Sequence, residues 1–196
     1  MRTKDQIKHK GLQLFNRLGV QNVTLRDIAA AIKKSYGNVT YHFPNKEILV
    51  SLLYDDMLVE LNEISEQMTE QKDVFSAILK APEFTFELTI KYIFLFKDLT
   101  EIRRTFPDLA KRIDHSNRTR KEALIGVLRF LQAQEILRQD LDEQDLDYIM
   151  EQSGAMRTMF FIQHDVSIKP TAAVKASYVD YVNRLLKPYL AEGYSI

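Results

Sequence analysis

The chain has no cysteine, which excludes disulfides, thiolate metal sites and cysteine nucleophiles. Glycine (6) and proline (5) are scarce in 196 residues, which argues against a loop-rich all-β protein. No run of about 18 apolar residues occurs, so no membrane span is expected. The opening MRTKDQIKHKG has no apolar core, so no signal peptide is expected and a cytoplasmic location follows as the expectation. Catalytic patterns are missing as well. There is no Glu-x-x-His, no His-x-x-x-His, no phosphate-binding glycine loop and no Gly-x-Ser-x-Gly nucleophile. Asp114–His115 and His164–Asp165 are adjacent pairs, and on a helix neighbours point about 100° apart. No catalytic residue, metal ligand or cofactor is expected.

What is present is a 45% hydrophobic chain with an uneven charge. Residues 1–50 hold nine Lys/Arg against three Asp/Glu, a net of +6, and the neutral total leaves −6 for the rest. A basic end joined to an acidic body suggests a segment that meets a polyanion, and nucleic acid is the usual one for a soluble protein.

Hydrophobic spacing reads as helix almost throughout. Ile7, Gly11, Leu14, Phe15 and Leu18 share one face, and Gly19 follows as a stop. Thr24 caps a short helix with Asp27 three residues on, and Leu25, Ile28, Ala29 and Ile32 form its buried stripe. After Lys33-Lys34-Ser35, Val39 and Phe43 supply a third small apolar face, which Pro44 ends. Asn45 caps a fourth helix of some twenty residues. Residues 69–73 read as a joint and 74–80 as a short helix that Pro82 ends or restarts. The stretch FTFELTIKY (84–92) alternates like a strand, but no second strand exists to pair with it. Residues 83–98 are therefore read as a buried helix. Pro107 opens another helix, DLDEQD (140–145) opens the next, which runs to about His164, SIKP (167–170) breaks the chain, and Thr171 caps a last helix ending near Leu190. The sum is an all-α protein of about nine helices.

The first three helices have the proportions of a helix-turn-helix, in which the last helix enters the major groove of DNA. That explains the odd stretch SYGNVTYHFPNKE (35–47). Gly37 removes a side chain where a helix or the DNA backbone would crowd it. Asn38 and Thr40 offer hydrogen bonds to base edges or phosphate, Tyr41 and His42 can donate to phosphate, and Phe43 points into the core. Arg26 and Lys46 supply charge to the DNA backbone.

The run TLRDIAAAIKKSYGNVTYHFPNKEIL resembles the N-terminal region of tetracycline-repressor-type (TetR) transcriptional regulators. The matching features are RDIA, Ser35, Gly37 and YHFPNKE, within residues 7–55. The resemblance implies a helix-turn-helix domain over 1–46 and a helical effector-binding and dimerisation domain over 47–196. It implies a homodimer on a double-stranded operator, a small-molecule effector and pairing through the last two long helices. It carries Thr24, Ser35, Tyr41, His42 and Lys46 to phosphate contacts, and Tyr36, Gly37, Asn38 and Thr40 to the bases. Lys33 departs from the family, which has the glycine of the turn there, so a left-handed lysine costing about 1 kcal/mol is expected. Lys34 replaces a small aliphatic residue, so its stem is expected to cover core. The alternative is a helical ligand-binding or interaction protein that has lost specific DNA binding.

In the larger part, Tyr54, Phe84, Tyr92, Phe106, Met156 and Phe160 are candidates for an apolar effector pocket. Met156, Phe160, Leu185, Leu186 and Tyr189 are equally candidates for the dimer surface.

Overall fold

A computed structural model describes residues 2–70, 72–164 and 170–196. Among these residues the chain forms ten α-helices, one 3-10 helix and no strand. They are α1 (Thr3–Leu18), α2 (Leu25–Ala31), α3 (Tyr36–His42), α4 (Lys46–Thr69), α5 (Val74–Lys91), α6 (Ile93–Lys97), α7 (Leu99–Thr105), α8 (Pro107–Ala133), α9 (Glu143–Gln163) and α10 (Ala172–Asn183). The 3-10 helix Arg184–Tyr189 follows α10. The expected break at 167–170 falls largely outside the described residues, as does Asp165 of the His164–Asp165 pair. No described helix is long and apolar enough to cross a membrane.

The chain divides into two compact units: residues 1–61 with 88–112, and residues 62–87 with 113–196. In the first unit, Ile7, Phe15, Ile28, Val39, Phe43 and Leu49 are wholly buried. A Cβ on Gly11 would lie 3.0 Å from Leu49 Cδ2 and 3.4 Å from Ile28 Cδ1, so this glycine sets how closely α1 packs. Phe15 and Phe94 bring their rings to 5.3 Å.

The buried helix expected over 83–98 is helical but not continuous. It joins 74–80 as α5, which carries Pro82 in its interior rather than ending there. Thr85 Oγ1 donates to the carbonyls of Ala81 and Pro82 around that proline. The helix then breaks at Tyr92, and Asn16 of α1 satisfies both ends of the break. Asn16 Nδ2 donates to Lys91 O at 2.8 Å, and Phe94 N donates to Asn16 Oδ1 at 3.2 Å. A second break at Asp98 separates α6 from α7, which is why ten helices stand where nine were expected.

In the second unit, Ile125, Leu128, Leu131, Leu146, Ile149 and Leu186 share one cluster. A second cluster gathers rings: Tyr178 lies 5.2 Å from Phe86, 5.1 Å from Phe160 and 4.9 Å from Phe161. Buried Asn183 donates to Leu79 O at 2.8 Å, one turn before Pro82. Asp142 caps α9 with a capping box, and Thr171 caps α10.

Of the five residues offered for dimer contact, two are buried and Met156, Leu185 and Tyr189 are half-buried. Phe160 and Leu186 are buried inside their own chain, and Leu185 and Tyr189 pack beside Leu186. The large apolar side chains that α9 and α10 expose are Tyr148, Met159, Ile162 and Tyr181. Met159 and Ile162 lie one and two positions from buried Phe160.

Candidate nucleic-acid interface

The interface is built from the α2–turn–α3 unit. Thr24 and Asp27 close a full capping box on α2: Thr24 N donates to Asp27 Oδ2 at 2.8 Å, and Asp27 N donates to Thr24 Oγ1 at 3.3 Å. The Thr24 hydroxyl also donates to Asp27 Oδ2 at 2.6 Å. That side-chain bond, ahead of the backbone one, holds the Asp27 carboxyl below the usual aspartate range. Thr24 thus has neither its amide nor its hydroxyl proton to give to a phosphate unless the box opens.

The turn has the Schellman pattern. Lys33 N donates to Ala30 O at 3.1 Å, and Lys34 N donates to Ala29 O at 3.0 Å. This pattern requires a left-handed residue between helix and exit, and Lys33 takes it with φ at 55°. The expected strain is present. Lys34 is exposed, so its stem does not cover core; the left-handed step before it carries the chain outward.

Ser35 caps α3, its hydroxyl oxygen accepting from Asn38 N at 3.1 Å. As an acceptor, that hydroxyl keeps its proton for an outside partner. Val39 and Phe43, both fully buried, fix which way α3 faces. Tyr36, Gly37, Asn38 and Tyr41 are consequently exposed, Tyr41 at 83%. A Cβ on Gly37 would meet nothing within 4 Å, so no helix crowds it and only an outside partner can. Thr40 is turned back on its own helix, donating to Tyr36 O at 3.1 Å. Arg26 of α2 lays its guanidinium 5.0 Å from the Tyr36 ring centroid, joining the two helices on the exposed side. Tyr41 and His42 meet edge to face at 5.1 Å. Half-buried His42 borders an open hollow with Lys4, Phe43, Glu47, Ile48 and Asp55.

Lys46 sits deeper than its expected role suggests. Its ammonium donates to Val20 O at 2.7 Å, and burial pushes its pKa below the usual lysine value. Asp98 Oδ2 accepts from Val20 N at 2.7 Å, and burial pushes that carboxyl above the usual aspartate value. The Val20 backbone, in the loop between α1 and α2, is therefore held at both its N–H and its C=O. Two ammonium protons of Lys46 remain for other acceptors.

The pocket candidates are divided between the two units. Tyr54, Tyr92 and Phe106 are buried in the first unit. Tyr92 donates to Glu60 Oε1 at 2.6 Å, and burial first, then this bond, raises the phenol pKa far above normal. Phe84, Met156 and Phe160 belong to the second unit, where Phe84 is 42% exposed and Phe160 packs in the ring cluster. Sequence reasoning missed Arg157, which lies at the edge of that cluster. A lone arginine in GAMRTMFFI was the available signal.

A short helix that presents polar and aromatic side chains outward, rigidly anchored behind and flanked by basic residues, defines a DNA-binding regulator of the helix-turn-helix class. Two family models match: that of the bacterial regulatory proteins of the tetR family over residues 7–53, and that of the TetR bacterial transcriptional repressors over residues 57–195. The chain belongs to the TetR family of transcriptional regulators. Comparison with curated proteins finds no match. Among solved structures it is similar to a TetR-family regulator from Marinobacter aquaeolei VT8, at 22% identity and TM-score 0.82 over 99% of this chain and 94% of that one. A putative regulator from Saccharomonospora viridis, solved in complex with choline, gives 18% identity and TM-score 0.78 over 96% and 97%. The SmeT–triclosan complex gives 17% and 0.69 over 99% and 94%. At these identities the likeness speaks for the fold alone.

Proposed function

We propose that this chain represses transcription as a homodimer whose two α3 helices enter successive major grooves, and that a small molecule bound in the larger part releases it. Residues 1–46 would engage DNA and residues 47–196 would bind effector and pair, in the cytoplasm. The observation that carries the reading is the exposed face of α3, anchored by Val39 and Phe43 and extended by the Arg26–Tyr36 stack. Tyr36, Gly37, Asn38 and Thr40 approach the bases. Ser35, Tyr41 and His42 give protons to phosphate, Arg26 and Lys46 add charge, and Thr24 contacts phosphate only if its capping box opens. Exposed Tyr148, Met159, Ile162 and Tyr181 of α9 and α10 form the pairing surface. Two structural relatives, bound to choline and to triclosan, support ligand response. Lys33 takes the left-handed turn that the family gives to glycine, which favours a working DNA-binding unit over a degenerate one.

The test is anisotropy binding to the duplex flanking the chain's own gene, with sequence variants of the site. Asn38→Ala should relax preference at one position by about 1–3 kcal/mol and leave the others alone. Unchanged preference at every position would remove Asn38 from base reading.

A further inference from the structure

Arg157 of α9 reaches the ring cluster of the second unit through the Tyr178 hydroxyl. Its Nε donates to Ser153 Oγ at 3.2 Å, and its Nη1 donates to Thr85 Oγ1 at 3.2 Å and to Tyr178 Oη at 3.3 Å. Among the described residues, no carboxylate lies within ion-pair reach of the guanidinium. A guanidinium stays charged at any physiological pH, and neutral hydroxyls orient it without neutralising it. All three contacts are long; charge-assisted bonds to a carboxylate run about 2.7–2.9 Å. Arg157 is half-buried, so the uncancelled charge is not simply solvated.

The surroundings divide by polarity. The hydroxyls of Ser153, Thr85 and Tyr178 gather at the guanidinium. The Tyr178 ring leads away from it to Phe86, Phe160 and Phe161, all buried. Lys175 of α10 is held by Glu87 at 3.2 Å and Glu83 at 3.6 Å. Both glutamates are turned to Lys175, and the Arg157 guanidinium, outside that group, adjoins an apolar body.

We infer that Arg157 is the anchor of an effector site for an amphiphilic monocarboxylate, with the carboxylate on the guanidinium fork and the apolar chain among the rings around Tyr178. A single guanidinium held only by neutral hydroxyls matches a monoanion rather than a phosphate dianion. A planar fork also matches a carboxylate with two parallel bonds. This site rests on the reading that the larger part binds an effector.

Calorimetric titration of the purified full-length protein, with no DNA present, tests it. The probes are sodium hexanoate, dodecanoate and hexadecanoate, each beside the alcohol of the same chain. Wild type should prefer at least one carboxylate over its alcohol by about tenfold or more. R157Q should erase that preference and keep alcohol binding, and R157K should retain part of it. If R157Q fails to fold, Y178F, which removes one hydroxyl, and the Arg157 Nε–H resonance carry the test. Dodecanoate should shift that resonance and dodecanol should not. Equal affinity for acid and alcohol in wild type overturns the site, and so does an undiminished preference in R157Q. A weakened dimer in R157Q with carboxylate binding intact overturns it too, by giving the charge to the partner subunit. Operator binding is assayed apart: carboxylate binding without DNA binding would defeat the regulatory reading and leave this site standing.

Discussion

Replacing Lys33 by glycine should make the protein more stable and a weaker DNA binder. Lys33 sits at φ 55° because the Schellman turn after α2 demands a left-handed residue there. For a residue with a Cβ that conformation costs about 1–2 kcal/mol. Glycine returns about 0.5–1 kcal/mol of this as extra entropy of the unfolded chain. The net expectation is a gain of about 0.5–1 kcal/mol, or roughly 1–4 °C in Tm for a chain of this size. The same change removes one exposed cation per protomer from the turn that precedes α3. If each lysine meets a phosphate, the slope of log K against log salt becomes shallower by about two units per dimer. Lys33→Ala separates the two effects: it loses the charge but keeps the strain, so DNA binding falls as in K33G with no gain in Tm. Calorimetric melting and salt-titrated anisotropy on the three proteins give both readings. A lower Tm for K33G, or equal gains in K33G and K33A, would refute the strain argument.

Other consequences follow from single contacts. Asn16→Ala removes both amide bonds that bridge the α5–α6 break and should destabilise by about 1–2 kcal/mol in urea unfolding. Asp98 has a raised carboxyl pKa in the folded protein, so it contributes stability below the ordinary aspartate pKa. That contribution fades as pH rises through the higher folded value. Asp98→Asn keeps an acceptor for Val20 N and should flatten the stability–pH curve over that acidic window, read by melting at stepped pH. Ile162→Glu puts a charge on the exposed apolar face of α9 and should shift sedimentation toward monomer without lowering the Tm by more than a few degrees.

Local signals were legible because their partners lie within a few residues. The Thr24–Asp27 box, the Ser35 and Asn45 caps and Pro107 at the start of α8 all formed as their spacing implied. The strained turn at Lys33 was legible too, since only one residue of that turn must be left-handed. Features set by distant partners were not. The break at Tyr92 depends on Asn16, whose bond to Lys91 spans 75 positions. Lys46 looks like a surface cation until Val20 O, 26 positions away, draws it in. On α9, apolar side chains occur all round, as Tyr148, Met156, Met159, Phe160, Phe161 and Ile162 show. Periodicity then cannot choose the buried face, and Phe160, a candidate for the dimer surface, is buried. The pocket candidates fall in both units for a related reason: aromatic content marks burial, and burial is shared between two units.

The most direct measurement is a hydroxyl-radical footprint of the wild-type protein on the duplex flanking its own gene. Two equivalent protected patches should appear, their centres about one helical turn, 10–10.5 base pairs, or a whole multiple of that apart. Both should vanish together when Val39→Asp unseats α3. A duplex with no protected patch, or with a single one at saturating protein, would contradict the account.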